Sequence, residues 1–331
     1  MTLSAAPEAT PVILDVDTGV DDALAILFAL AHPGINVLGI SCVAGNASLE
    51  RVVENTLRIL DVADAPYIPV AAGARRPLLE PARSAAHVHG ESGLGTVQLP
   101  PSDRQAESIS SIELMHQLIV ASPHPVTLVG LAPQTNLALL LRQYPDVVTN
   151  IERIVFMGGS TTVGNATAVA EFNIWHDPEA AAIVLDSGVP TFMYGLDVFN
   201  KVVIDEKIAT DLMHSEPGLA QVVGRLLCNR VALGSGRNAQ YTGLIGDAGA
   251  VCALVDPRGL TTAMLPLRVQ LAGYGRGQTL VDMRTHPGED LMHGLVGEWE
   301  AAEVALDVDV DRYARLFLDT LGLGSARPDT A

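Results

Sequence analysis

Between the apolar runs 12–14 and 23–30 lies Asp15-Val16-Asp17-Thr18-Gly19-Val20-Asp21-Asp22, four carboxylates within eight residues. Like charges so close repel one another strongly unless a cation or a shared proton sits between them. Gly19 lets the backbone turn sharply inside the cluster. A set made only of oxygen ligands suits a hard ion such as Ca²⁺ or Mg²⁺, whereas zinc calls for His or Cys at close spacing, which this stretch lacks. Capping of the following helix would account for Asp21 or Asp22. It leaves the other acids as uncompensated charge, so the stretch reads as a site.

A strand must end and a helix begin at these acids, and the chain around them follows that alternation. Short β-branched runs at 12–15, 37–43, 68–71, 126–131, 154–157 and 191–194 predict strands. Helical spacing at 21–31, 48–63, 107–121, 133–144 and 178–187 separates them, which is the pattern of βα units around a parallel sheet. Further helices are predicted at 205–214, 219–233, 248–255 and 312–321, with late strands at 265–272, 279–283 and 304–309. The expected fold is therefore a single α/β domain: a Rossmann-like open, mainly parallel twisted sheet with helices on both faces and extra C-terminal helices and strands. Its span is 11–323, between a flexible segment 1–10 and a tail 324–331. In such a sheet ligands bind beyond the carboxyl ends of the strands. Polar or glycine-rich turns gather there: the Asp cluster, Ala44-Gly45-Asn46, Leu131-Ala132-Pro133 and Met157-Gly158-Gly159-Ser160. The longest stretch without predicted structure, 73–104, holds His87-Val88-His89-Gly90-Glu91-Ser92-Gly93, and loops of that length are usually functional.

With 331 residues, 48% of them hydrophobic, the chain can bury a substantial core. A net charge of −18 opposes sequence-independent binding to nucleic acid or anionic membrane, which relies on clustered Lys and Arg. No apolar run is long enough to span a bilayer, and residues 1–10 lack the order of a signal peptide, so a cytoplasmic protein is expected. Cys42, Cys228 and Cys252 are odd in number, far apart and in apolar surroundings, and read as reduced core residues. Neither GxxxxGK[ST] nor a GxGxxG after a strand is present, so no nucleotide cofactor is indicated. Gly275-Arg276-Gly277 reads as the turn of a hairpin.

Several stretches together resemble the nucleoside hydrolase family, the Ca²⁺-dependent N-ribohydrolases typified by inosine–uridine-preferring enzymes. They are the Asp15 to Asp22 motif, Gly45-Asn46, His89-Gly90-Glu91-Ser92-Gly93, Met157-Gly158-Gly159, Gly164-Asn165-Ala166-Thr167, Ala170-Glu171-Phe172-Asn173 and Asp177-Pro178-Glu179-Ala180. The resemblance implies that Asp17, Asp22, Asp247 and the backbone carbonyl of Leu131 bind Ca²⁺, and that Asp17 activates a bound water as general base. It further implies that Asp21, Asn46, Met157, Asn165, Glu171 and Asn173 hold the ribose of a small ribonucleoside substrate, and that the protein is a homodimer or homotetramer. Turn chemistry is the competing account of some of these. Asn46 and Asn165 also suit plain turns, and Asp177 is a natural cap for the helix at Pro178. Glu171 and Asn173, flanking Phe172, read as an extended segment with both side chains on one face. Trp175, near Phe172 and Ile174, reads as core.

Cleaving an N-glycosidic bond leaves the sugar cation-like while the base gains electrons. Inosine–uridine-preferring relatives place a proton-donating His just before the last metal-binding Asp; this chain has Gly246-Asp247. His89, His87, Tyr241 and Arg237 are the alternatives, with His89 and Tyr241 as catalytic candidates. Two other functions compete with N-glycosyl hydrolysis. One is a nucleoside-binding or low-turnover relative lacking the leaving-group acid. The other is a haloacid-dehalogenase-like Mg²⁺ phosphatase, which also opens with DxD after a first strand.

Overall fold

The computed structural model describes residues 9–231, 240–286, 288–294, 297 and 299–324. Most of segment 1–10 and of tail 324–331, together with Arg237 and the His87 side chain, falls outside these residues. In chain order the strands are β1 (Thr10–Val16), β2 (Ile35–Cys42), β3 (Val70–Ala72), β4 (Val126–Gly130), β5 (Ile151–Met157), β6 (Thr191–Tyr194), β7 (Arg230–Val231), β8 (Gln240–Tyr241), β9 (Leu260–Val269), β10 (Thr279–Val281) and β11 (Ala301–Val308). The helices are α1 (Val20–Ala31), α2 (Leu49–Val62), α3 (Ala86–His89), α4 (Ser111–Ala121), α5 (Thr135–Gln143), α6 (Phe172–His176), α7 (Pro178–Leu185), α8 (Leu196–Phe199), α9 (Glu206–Met213), α10 (Leu219–Leu227), α11 (Ala248–Val255), α12 (Glu289–Met292) and α13 (Val310–Thr320).

Nine strands form one sheet in the order β10-β9-β11-β6-β5-β4-β1-β2-β3. From β3 across to β11 every neighbouring pair is parallel. Only the β9–β10 hairpin at one edge brings antiparallel pairing. The chain order reverses between β1 and β4, the switch point at which open α/β sheets leave a crevice. The α/β sheet with its C-terminal additions is thus as the sequence predicts. A separate β7–β8 pair lies outside this sheet.

Period-2 alternation along β1 serves both faces of the sheet at once. Val12, Leu14 and Val16 enter the core formed with α1, α2, α10, α11 and α13. Ile13 enters the opposite core, with α4, α5 and α7. A third cluster under the edge hairpin contains Phe156, Ile174, Met193 and Leu267. Sealed by helices on both faces, β1 is buried from Val12 to Val16, so whatever its end carries is fixed rigidly. No described helix is long and apolar enough to cross a membrane. Among the described residues no cysteine is in a disulfide; Cys42 and Cys252 are buried and Cys228 only partly so.

Several expectations need correction. The stretch 73–104 is not wholly irregular, since α3 brings His89 to the site. The helix expected from 219 onward ends at Leu227, and Arg230 already belongs to β7. The segment at Glu171 is not extended: Phe172–His176 is a short helix, and Glu171 is its N-cap, accepting from the N–H groups of Asn173 and Ile174. Strand β9 starts at Leu260, five residues before the expected 265.

Candidate active site

The acidic motif divides at the end of β1. Asp15 continues the strand and turns away from the other three acids. Its Oδ1 accepts Ser41 Oγ at 2.6 Å and Asn136 Nδ2 at 2.9 Å, so it bonds β1 to β2 and α5. Burial pushes its carboxyl up to about 7. Asn136 also donates to the Cys42 carbonyl and accepts from the Ala74 N–H, tying three strand-end segments together. Sequence reasoning passed over Ser41 and Asn136, because their role exists only once β1, β2 and α5 meet.

Asp17 lies past the strand end, fully buried. Its Oδ2 accepts the Asn46 backbone N–H at 2.7 Å and its Oδ1 accepts Asn46 Nδ2 at 3.1 Å. The same Nδ2 reaches Asp22 Oδ2 at 3.2 Å, so one amide bridges two carboxylates. Asp22 folds back over the turn, accepting the N–H groups of Asp17 at 3.1 Å and Gly19 at 2.9 Å. It thereby caps α1, as capping predicts for one Asp of the pair, and still faces the site. Gly45 makes room for this arrangement: a Cβ there would stand 2.0 Å from Asp17 Oδ2.

Asp247, at the start of α11, arrives from the far end of the chain. Carboxylate oxygens of Asp21, Asp22 and Asp247 lie within 4.8 Å of one another. Asp21 Oδ1 is buried without a hydrogen-bond partner. Burial, reinforced by the neighbouring acids, holds the carboxyls of Asp17 and Asp247 well above the usual range and Asp22 at about 7. Three converging acids, an orphan carboxylate oxygen and desolvated charge are what a bound divalent cation would resolve. The trio that converges most tightly contains Asp21, while Asp17 stands beside it on Asn46.

On the other wall of the crevice, Asn173 donates its amide to the carbonyls of Leu131 at 3.0 Å and Met157 at 3.1 Å, joining the ends of β4 and β5. Glu171 accepts Gly159 N–H at 3.0 Å through Oε2, and burial raises its carboxyl to about 7. Asn165 Oδ1 accepts the Phe172 N–H at 2.8 Å, latching its loop to α6. That loop is fastened at its root: Thr161 N–H and both hydroxyls of Thr161 and Thr162 donate to Asp197. Thr279 of β10 accepts the Ser160 N–H and donates to the Ser160 carbonyl. The C-terminal hairpin therefore steadies a loop contributed more than a hundred residues earlier.

Several of these side chains surround one cavity of about 340 Å³, with Asp17 and Asp22 outside its lining. Asp21, Asn46, His89, Leu131, Met157, Asn165, Glu171, Asn173 and Asp247 all line it. The His89 Nδ1 accepts the Val20 N–H at 3.3 Å and lies 3.8 Å from Asp21 Oδ1. Accepting there leaves the ring proton of the neutral imidazole on Nε2. Tyr241 is not in the cavity wall, and its hydroxyl donates to the Ile204 carbonyl at 2.7 Å. Trp175 departs from expectation. It is only half buried and lines the cavity beside Phe172, while Ile174 alone of that segment enters the core. The α-helical period explains the split, since positions 172 and 175 share a face that 174 does not.

Comparison with known proteins places this geometry. The sequence profile of the family described as "Inosine-uridine preferring nucleoside hydrolase" matches residues 12–315. A pyrimidine-specific ribonucleoside hydrolase, RihA of Salmonella gallinarum, is 38% identical over 315 residues, covering 95% of this chain and 98% of that protein. The purine-preferring ribonucleoside hydrolase from Gardnerella vaginalis superposes with a TM-score of 0.81 at 30% identity, over 95% of this chain and 99% of the other. An inosine-guanosine nucleoside hydrolase superposes with a TM-score of 0.84 at 27% identity, with the same coverage. The phosphatase alternative falls away on these matches. With its acids gathered at the switch point of the sheet and its profile matched over nearly the whole length, this chain belongs to the inosine-uridine preferring nucleoside hydrolase family and is an N-glycosyl hydrolase.

Proposed function

We propose that this chain hydrolyses the N-glycosidic bond of ribonucleosides to free nucleobase and ribose, with Ca²⁺ held by Asp17, Asp22, Asp247 and the Leu131 carbonyl. The observation that carries the proposal is the convergence of Asp21, Asp22 and Asp247 within 4.8 Å beside a cavity that Asn46, Asn165, Glu171 and Asn173 also line. Such a floor suits an oxygen-coordinated cation and a vicinal diol better than a phosphate, which these acids would repel. Bound there, Ca²⁺ would supply positive charge to the ribose hydroxyls and lower the pKa of a water.

The protein's own groups divide the remaining work. Asp17, oriented by two donors from Asn46, is the general base that takes the proton of the attacking water. Asp21, with an unpartnered Oδ1, accepts a ribose hydroxyl. Asn173 has spent its amide hydrogens on Leu131 and Met157, so it offers its carbonyl oxygen to a sugar hydroxyl. Asn165, Glu171 and the Met157 backbone complete the ribose seat. As the glycosidic bond lengthens, positive charge grows on the sugar, and the surrounding carboxylates stabilise it.

Gly246 favours a second reading, a nucleoside-binding protein of low turnover, because no imidazole precedes Asp247. A panel of purine and pyrimidine ribonucleosides, scored by release of free ribose, separates the two. The proposal expects turnover on at least one ribonucleoside, with the 2′-deoxy analogue poorer by about 10²-fold or more for want of one hydroxyl contact. Binding without sugar release would establish the second reading. Equal rates on uridine and deoxyuridine would refute the diol seat.

A further inference from the structure

The leaving base needs a group to take up its developing negative charge, and the usual position for one is closed here. Position 246 has no side chain, the Tyr241 hydroxyl is spent on Ile204, and His89, held through Nδ1 on the Val20 N–H, sits 3.8 Å from Asp21, the acid assigned to the ribose. The acids at the floor can serve only the sugar. The same cavity is lined by Arg83, the only Lys or Arg among its described lining residues. Its guanidinium sits 4.5 Å over the ring of Trp175, a cation–π shelf, and one Nη2 contact at 3.2 Å reaches Glu80. The side chain is about one-third exposed. Trp175 is itself seated firmly: the backbone of Gly277, in the β9–β10 hairpin, packs so closely that a Cβ there would stand 2.6 Å from Trp175 Cα.

Given ribonucleoside hydrolysis at this site, as proposed above, we infer that Arg83, presented on Trp175, is the group that meets the departing nucleobase and stabilises it as an anion. A guanidinium does not give up its proton, so it acts by charge-assisted hydrogen bonds to a carbonyl oxygen or ring nitrogen of the base. The C1′–N bond breaks with its electron pair moving onto the base, and the water oxygen bonds to C1′. The water proton passes to Asp17, and the released base anion takes a proton from solvent. Fixed positive charge thus replaces a titrating acid at the leaving-group end. The ligand class is a nucleobase whose anion delocalises onto exocyclic oxygen or ring nitrogen.

The test compares uridine and inosine with 4-nitrophenyl β-D-ribofuranoside, whose phenolate departs without help. Arg83→Met is expected to lower kcat/KM on both nucleosides by about 10- to 100-fold, the range of one charge-assisted hydrogen bond, and to leave the nitrophenyl riboside nearly unchanged. Arg83→Lys should recover part of the loss, because it restores charge without the planar fork. Trp175→Leu, which removes the shelf and keeps the charge, should produce a smaller drop with the same substrate selectivity. Melting curves of each variant check that the fold persists. An equal fall on all three substrates, or no fall on any, would overturn the role of Arg83. A wild-type chain that releases ribose from none of the three would instead overturn the underlying hydrolase reading.

Discussion

Placing His at position 246, where related enzymes carry one, should damage this protein and fail to repair it. Gly246 has φ of +56°, and a Cβ built there would stand 2.5 Å from Asp21 Cβ and 3.3 Å from Phe199 Cε2. The left-handed backbone costs a side-chain-bearing residue about 1–2 kcal/mol. Asp21 Cβ is fixed to the first turn of α1 and cannot rotate away, so the contact adds overpacking of about 1–3 kcal/mol. Together these give roughly 2–5 kcal/mol; for 331 residues at about 2.1 cal/mol/K each, the melting temperature should fall by about 3–7 °C. The displaced neighbour is one of the converging acids, and a shift of about 1 Å in a positioning group costs on the order of 10²-fold in rate. Thermal melting and free-ribose release on Gly246→His measure both effects. Gly246→Ala is the control, because it carries the same backbone and steric cost without the imidazole. A Gly246→His variant that melts like wild type and turns over uridine faster would refute this account, since the position would then tolerate the acid it lacks.

Two other substitutions separate stability from activity. Asp17→Asn removes a fully buried carboxylate that burial and Asp22 hold well above its usual pKa. The metal-free variant should therefore melt at or above wild type while ribose release falls by about 10²–10⁴-fold; a lower melting temperature with retained rate would show that Asp17 is only structural. His176 is 1% exposed, neither ring nitrogen has a partner, and burial beside Arg83 lowers it from 6.5 to about 4. The unfolded chain takes up this proton first, so the stability given by neutral His176 is present above pH 6.5 and lost as pH falls towards 4, by about 3 kcal/mol. In denaturant titrations His176→Leu should lose less stability than wild type across that window, and parallel pH profiles would show that His176 is not the cause.

What could be read from the sequence was whatever is set locally or repeated. The βα alternation, the strand before the acids and the Asp177 cap of α7, which accepts the Ala180 N–H at 3.1 Å, all follow from neighbouring residues. The switch-point crevice followed too, because the polar turns cluster after successive strands. The short helices α3, α6, α8 and α12 were not legible. Helix α6 exists because Glu171 caps it while also holding Gly159, a contact no local pattern encodes. Four acids side by side in sequence suggested one cluster, yet the strand pleat sends Asp15 to Ser41 and Asn136 while Asp247 joins the site. Trp175 looked like core because its neighbours are apolar, but a helix sorts residues by face and not by adjacency. Arg83 carried no signal in the sequence, being one arginine in an irregular loop, and only its place over Trp175 draws it to the cavity.

The most direct test of the whole account is a calcium titration of chelator-stripped protein, with bound ion and ribose released from uridine or inosine followed in the same samples. The acidic floor predicts one Ca²⁺ per chain and activity that rises from near zero along the binding curve, with Asp247→Ala abolishing both. Full ribose release from the stripped protein, or calcium binding that leaves the rate unchanged, would contradict it.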